Sequence, residues 1–238
     1  ILVEGGDRVL SNMSNRSSES AAKTLIDYGV EIRTNTKVMD VGHDGVRLSG
    51  DDGEDFITAR TVIWAAGVSA SPLAKAITDG LGLKCGAQGT IPVEDDLTVA
   101  GRDDIRVVGD VACVTQLDGT SVPGVAPAAI QMGTYAGKAI RRICAGRSPA
   151  PRGFRYRDKG TLATIGRGHA VLDFGRFHLS GFPGWIIWAI VHIWFLVNFR
   201  SRMMAMAAWV WAYVVQDGVN ALITKEQNRP VIDASIRA

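Results

Sequence analysis

Ile105–Ala112 reads IRVVGDVA, and on this stretch the fold is decided. Val107-Val108 is a β-branched pair in an apolar run that stops at Gly109-Asp110. Such a run predicts a buried strand covered on both faces. The glycine carries no Cβ to block an approaching ligand, and a carboxylate follows at once. In doubly wound α/β proteins ligands sit outside the carboxyl ends of parallel strands, where Asp110 can hold sugar hydroxyls. An ordinary Asp turn after a strand explains the same residues, and the stretch alone leaves both readings open.

Moving outward, Ile1–Val3 is a second apolar strand, closed by Glu4 and Gly5-Gly6-Asp7. Ser18–Tyr28 has helical spacing and ends at Gly29, and Val30-Glu31-Ile32 resumes a strand, which gives a strand–helix–strand unit. Thr36–Val41, Gly45–Leu48 and Phe56–Ala59 predict an antiparallel meander with turns at Asp44-Gly45 and Asp52-Gly53. Thr61–Gly67, TVIWAAG, predicts a buried strand whose small last residues leave room for a flat group against the backbone, or for tight helix packing. Ser71–Asp79 predicts a helix with Pro72 in its first turn. Ile91–Val93 and Leu97–Val99 predict a hairpin. A Gly/Pro-rich segment leads to a helix from about Ala128 to Ala145, whose positive end suits an electron-rich group.

Composition narrows the class. The 238 residues are 47% hydrophobic and 21% charged, a globular balance, and a net charge of +2 gives no argument for nucleic acid. Cys85, Cys113 and Cys144 form no CxxC pair, which favours reduced thiols over a disulfide framework or metal site. The chain opens inside a strand, and no GxGxxG follows a strand. The nearest match, Gly80-Leu-Gly82-Leu-Lys-Cys85, fails at its third glycine. The expectation is a fragment of a longer protein, with poor flavin binding by the polypeptide alone.

The order and spacing of TVIWAAGV (61–68), IRVVGDVA (105–112), VAPAAIQMGTYAGKAI (125–140) and KGTLATIGRGHAVLDFG (159–175), with the aromatic stretch after Phe182, closely resemble the C-terminal part of type II NADH:quinone oxidoreductases. The resemblance implies a two-dinucleotide-binding α/β flavoprotein with FAD and NADH as cofactors and a membrane quinone as partner. Residues 1–88 then belong to the NADH-binding domain, 89–150 to the FAD-binding domain and 151–238 to a membrane-anchoring, quinone-side region. It implies further that Gly109, Asp110 and the adjoining Val111 belong to an FAD fingerprint, with Asp110 on the ribitol chain. Glu4 meets the NADH adenosine ribose, and Ala66 and Gly67 line the nicotinamide side. Ile130 and Gln131 lie at the flavin ring, and Lys159 lies beside the isoalloxazine. Gln131 and Lys159 are the implied catalytic pair. One departure stands out. Many members carry another glutamine one helical turn before Gln131, where this chain has Pro127, which offers neither amide nor backbone N–H.

Past the FAD region, Thr161–Ile165, Ala170–Phe174 and Phe177–Leu179 predict an antiparallel sheet, with Gly175-Arg176 at one turn. Phe182–Phe199 and Met203–Val215 are apolar runs around Arg200-Ser201-Arg202, and five of the six tryptophans lie between Trp185 and Trp211. A spanning helix needs about 20 apolar residues. These runs predict amphipathic interfacial helices that hold the protein peripherally on the cytoplasmic face of a membrane. A transmembrane hairpin and a homodimer interface are the competing readings. For the chemistry, a sulfide:quinone oxidoreductase of the same fold competes, with Cys113 as its one candidate thiol, as does an inactive membrane-binding fragment.

Overall fold

The computed structural model describes residues 1–51, 53–149, 153–195 and 198–215. Asp52 of the second meander turn, the junction at 150/151, part of the first aromatic run and everything beyond Val215 lie outside the described residues. Strand β1 (Leu2–Val3) pairs in parallel with β2 (Ile32–Arg33), and helix α1 (Asn15–Asp27) is the crossover between them. Ser14 caps α1, its Oγ accepting the Ser17 N–H at 3.3 Å, and Gly29 takes φ +80° just past the helix end. Strands β3 (Lys37–Val41), β4 (Gly45–Gly50) and β5 (Gly53–Thr58) form the expected antiparallel meander. Helix α2 (Pro72–Gly80) starts where Ser71 and Pro72 predict.

The middle of the chain builds the core. Strand β6 (Ile91–Pro92) pairs in parallel with β9 (Ala112–Cys113), and β7 (Thr98–Val99) pairs antiparallel with β8 (Arg102–Arg106). Helix α3 (Ala126–Cys144) covers them, burying Ala128 and Met132 with Ile91, Leu97, Val99, Val107, Val114 and Phe154. Ala74 of α2 joins the same core, so close packing continues across residue 88.

Three sequence expectations are corrected here. Thr61–Gly67 forms no ladder among the described residues, and Ile63 is 85% exposed. Its apolar pattern suits a strand with neighbours on both edges, and no described strand lies alongside it. The ladder of the central stretch covers Arg102–Arg106 rather than Ile105–Asp110. Val107 keeps one backbone bond, to the Leu97 carbonyl at 3.0 Å, before Gly109 turns the chain at φ +80°. The hairpin of 91–93 with 97–99 shrinks to a single Val93–Val99 bridge, because Leu97 enters the left-handed region at φ +67° and each strand finds another partner.

The C-terminal sheet matches its prediction: β10 (Thr161–Gly166), β11 (His169–Phe174) and β12 (Phe177–Ser180) are consecutive and antiparallel. Ala170 and Val171 are neighbours on β11, each 1% exposed, so both faces of the sheet are covered. His169, Val171 and Asp173 share the face that receives α1. Tyr28 at the end of α1 meets His169 edge-on, its hydroxyl 3.0 Å from Nδ1. At the other end, Asp173 accepts from Ser14 N–H (2.6 Å), Ser14 Oγ (2.9 Å) and Ser17 Oγ (2.6 Å), and from His178 Nδ1 (2.6 Å). Partial burial opposes ionisation of this carboxyl, but the bonds from Ser17, His178 and Ser14 win and hold it down to about 2.

The opposite face carries helix α4 (Gly181–Phe195), where Gly184 comes so close that a Cβ would stand 2.9 Å from the Ala170 carbonyl oxygen. Helix α5 (Phe199–Val215) follows. It takes in Arg200–Arg202, which the sequence reading placed between the helices. Trp188 stacks on Trp209 at 5.4 Å, and Arg202 lies 5.5 Å over the Trp194 ring while donating to the Trp194 carbonyl at 2.9 Å. Helix α4 carries no Asp, Glu, Lys or Arg and is apolar around its circumference, which corrects the expectation of an amphipathic helix with a single apolar stripe. Among the described residues no helix is long and apolar enough to cross a membrane.

These contacts, with the open space at Gly133, generate three stability predictions. The Asp173 carboxyl sits at about 2 when folded, against an ordinary 3.8. Its contribution is therefore complete above 3.8 and is lost as pH falls towards 2. Urea unfolding of Asp173→Asn should show a loss of about 2 kcal/mol at neutral pH and a flatter acid limb than the parent. Gly160 has φ +85° and a Cβ there would lie 2.6 Å from the Asp173 carbonyl oxygen. Gly160→Ala should destabilise by about 2 kcal/mol. Gly133→Ala, in open space on α3, should stabilise by about 0.5–1 kcal/mol in the same assay.

Candidate functional site

The site is assembled from a tight turn, a helix start and an unpaired strap. Gly109 bends the chain after Val107-Val108, its carbonyl accepting the Ala112 N–H at 2.9 Å. Its own N–H donates to Met132 Sδ at 3.2 Å, and a Cβ at Gly109 would lie 3.7 Å from the Ala129 methyl. The turn thereby rests on the first turns of α3 in ordinary contact, and its φ of +80° is what favours glycine there. Asp110 stands just beyond, exposed, with no hydrogen bond to any described residue. Val111 is half-buried and packs on the core.

Gly124 brings the chain back against Asp110: a Cβ there would stand 3.5 Å from the Asp110 Cγ. Helix α3 then begins at Ala126, with Val125 supplying no side-chain cap and Pro127 within the first turn. An unengaged carboxylate beside the uncapped positive end of a helix is a good hydroxyl acceptor next to an electron-rich neighbour. These residues fit a polyol chain with a polar ring beyond it.

Farther along α3, Ile130 is 51% exposed and Met132 is buried. Gln131 turns towards the strap 153–160, which belongs to no ladder. Its Oε1 accepts the Arg157 N–H and its Nε2 donates to the Arg157 carbonyl, both at 3.0 Å. Lys159 follows, exposed, and the Gly160 N–H donates back to Asp158 Oδ1 at 2.9 Å. Burial and the nearby Asp158 carboxylate push the Tyr156 phenol up, so it remains a neutral donor.

Gly109 thus meets α3 at Ala129 and Met132, and the strap meets it at Gln131, while no described contact joins Lys159 to Asp110. Glu4 lies elsewhere, at the end of β1. Its Oε1 accepts the Gly6 N–H at 2.8 Å, and its carbonyl accepts from Thr36 at 3.1 Å, so the carboxylate is preset at a strand end. Ala66 and Gly67 are exposed in the unpaired stretch, whose first backbone bond is that of the Ala70 N–H to the Gln88 carbonyl at 2.9 Å. The described contacts do not join them to Asp110 or to Glu4. Sequence reasoning missed Met132, Gly124 and Arg157, since each acts through a main-chain approach that leaves no motif. Of the cysteines, Cys85 lies 2.9 Å from Thr78 Oγ1 and Cys113 packs where Gly86 has no side chain.

The family model for pyridine nucleotide-disulphide oxidoreductases matches residues 1–133. Among curated proteins, the type II NADH:quinone oxidoreductase Ndh of Mycobacterium tuberculosis is 34% identical over 229 residues, covering 95% of this chain and 48% of that protein. The type II NADH:quinone oxidoreductase NdhA of the same organism is 38% identical over 213 residues, covering 88% of this chain and 44% of its own length. The chain spans about half the length of these curated relatives. Among solved structures, NDH2 from Plasmodium falciparum in complex with NADH superposes with a TM-score of 0.79 at 16% identity, over 89% of this chain and 57% of that one, a likeness of fold. The chain belongs to the pyridine nucleotide-disulphide oxidoreductase family, and its curated relatives there are type II NADH:quinone oxidoreductases.

Proposed function

We propose that the chain serves a flavoenzyme that oxidises NADH and reduces a membrane quinone without pumping protons. FAD, when bound, supplies the chemistry, accepting a hydride and releasing two electrons, and the protein supplies position and charge. The observation that carries this reading is the Gly109-Asp110 turn resting on the uncapped start of α3, in a chain whose curated relatives carry that activity in their names.

Each residue then has a physical task. Asp110 accepts hydrogen bonds from the ribitol hydroxyls, with Gly109 and Gly124 leaving room for them and Val111 anchoring the turn. Glu4, preset by the Gly6 N–H, accepts from the adenosine ribose and repels a 2′-phosphate, which favours NADH over NADPH. Ala66 and Gly67 lie on the nicotinamide side. Lys159 brings positive charge to the isoalloxazine, an interaction that strengthens as the site dries. Ile130 and Gln131 belong to the site through the helix that carries them. Residues 1–88 serve the NADH side, 89–150 the FAD side and 151–238 the membrane, with α2 packed across the first boundary.

Helices α4 and α5 bring this centre to the quinone. Ile190 and Trp194 are 59% and 71% exposed on α4, and Met203, Val210 and Trp211 line an open apolar groove on α5. Such a surface sits at the headgroup boundary of one leaflet, here the cytoplasmic one. A second copy of the chain covers a neighbouring part of it in a homodimer.

In the full-length enzyme, Asp110→Ala should weaken FAD retention at least tenfold, about 1.5–3 kcal/mol for a lost charged hydrogen bond, read by flavin fluorescence on dilution. Reduction of quinone by sulfide in place of NADH would sink the assignment. Ile190→Asp with Trp194→Asp should cut co-sedimentation with anionic vesicles at least tenfold at unchanged helicity. Binding that survives both charges would remove α4 from the membrane contact.

A further inference from the structure

Gln131 and Arg157 are 26 residues apart, yet one side-chain amide meets both polar groups of one residue's main chain. The geometry copies a pair in a β-ladder, with a donor and an acceptor at 3.0 Å each. A carboxamide carries a donor and an acceptor side by side on one planar group without any change of protonation. The partner segment needs such a clamp, because residues 153–160 form no ladder of their own.

The strap is held at three levels. Phe154 is buried at 5% exposure, packs edge-on to Tyr135, and donates its N–H to the Asp95 carbonyl at 2.5 Å. Gln131 holds Arg157. Gly160 is fixed by the Asp158 turn and by its close approach to the end of β11. Lys159 lies between the second and third anchors, with Asp158 alone between it and the clamped Arg157.

We propose that Gln131 is a positioning residue: its amide fixes the main chain at Arg157 and so sets where the Lys159 ammonium stands, rather than itself gripping the nicotinamide or the quinone. The inference rests on the site reading above for what Lys159 does, and on the structure alone for the clamp. One amide N–H and one lone pair of Gln131 remain uncommitted, so direct contact with a substrate is the rival that the experiment has to separate.

Two measurements do so. The first is limited trypsin digestion of the 238-residue chain under native conditions, which reads cleavage after Arg157 and Lys159. Gln131→Leu, which keeps bulk and helix propensity, should speed cleavage at both sites at least tenfold. Cleavage after Arg47, inside the meander, should be unchanged, which reports that the variant is folded. Gln131→Glu keeps an acceptor for the Arg157 N–H but sets a carboxylate against the Arg157 carbonyl, and should give an intermediate rate. Unchanged protection in Gln131→Leu would overturn the clamp.

The second is a double-mutant cycle on kcat and on the quinone KM in the full-length enzyme, with Gln131→Leu and Lys159→Met. Positioning through Lys159 predicts that Gln131→Leu lowers kcat in the parent and changes it less than twofold in the Lys159→Met background. An equal effect in both backgrounds, or an effect confined to the quinone KM, would assign Gln131 to direct contact and overturn the proposal. Absence of NADH-dependent quinone reduction in the parent would defeat the enzyme reading, while the digestion result still stands or falls on the clamp.

Discussion

One ionised carboxylate joins segments of this chain that lie 159 residues apart. Asp173 accepts four hydrogen bonds, three of them from the first turn of α1 and its cap, and thereby seats a helix from the N-terminal crossover on the C-terminal sheet. The arrangement depends on the period of two in β11. His169, Val171 and Asp173 face α1, while Ala170 faces α4, so one strand serves two helices on opposite sides. A carboxylate at the start of a helix also meets the positive end of the helix dipole, which adds to the direct bonds. Gly166 permits the same docking at the far end, where any Cβ would run into the Tyr28 ring.

Close main-chain approach is the second organising theme, and it falls on the proposed cofactor side. Gly160 approaches the β11 carbonyl where a Cβ would stand only 2.6 Å away, while Gly109 and Gly124 rest in ordinary contact with Ala129 and Asp110. The proposed site residues Asp110 and Lys159 sit one residue beyond or before such a glycine. The glycine sets the main chain, and the neighbour inherits a fixed position while staying exposed.

Local signals made much of this legible. Ser71 with Pro72, Gly29 and Gly175-Arg176 mark element ends through capping and turn geometry, so α2, the meander, the C-terminal sheet and the end of α1 emerge from sequence alone, whereas α1 starts at Asn15 behind a Ser14 cap rather than at Ser18. Thr61–Gly67 did not behave as its pattern promised, because a buried strand is defined by neighbours rather than by itself. The same holds for Val107-Val108, whose ladder ended early when Gly109 turned. Asp110 was legible as a strand-end acid, and Gln131 and Lys159 only through resemblance. The Asp173 node, 159 residues from Ser14, and the Gln131–Arg157 clamp left no periodic or spaced signature.

The path from the site to the apolar helices is short and stiff. From Gly160 the chain passes directly through β10, β11 and β12, and β12 runs into α4 at Gly181 without a linker. The strap end that carries Lys159 and the helix that carries Trp194 therefore belong to one continuous framework. The other site pieces reach that framework by side-chain bridges: α3 through Gln131, and the β1–α1 unit that holds Glu4 through Asp173 and Tyr28. Cutting a bridge leaves each chemical group on its own element but removes its register with the rest. For the proposed transfer of electrons from a dinucleotide to a membrane quinone, that register is the quantity the fold would have to conserve.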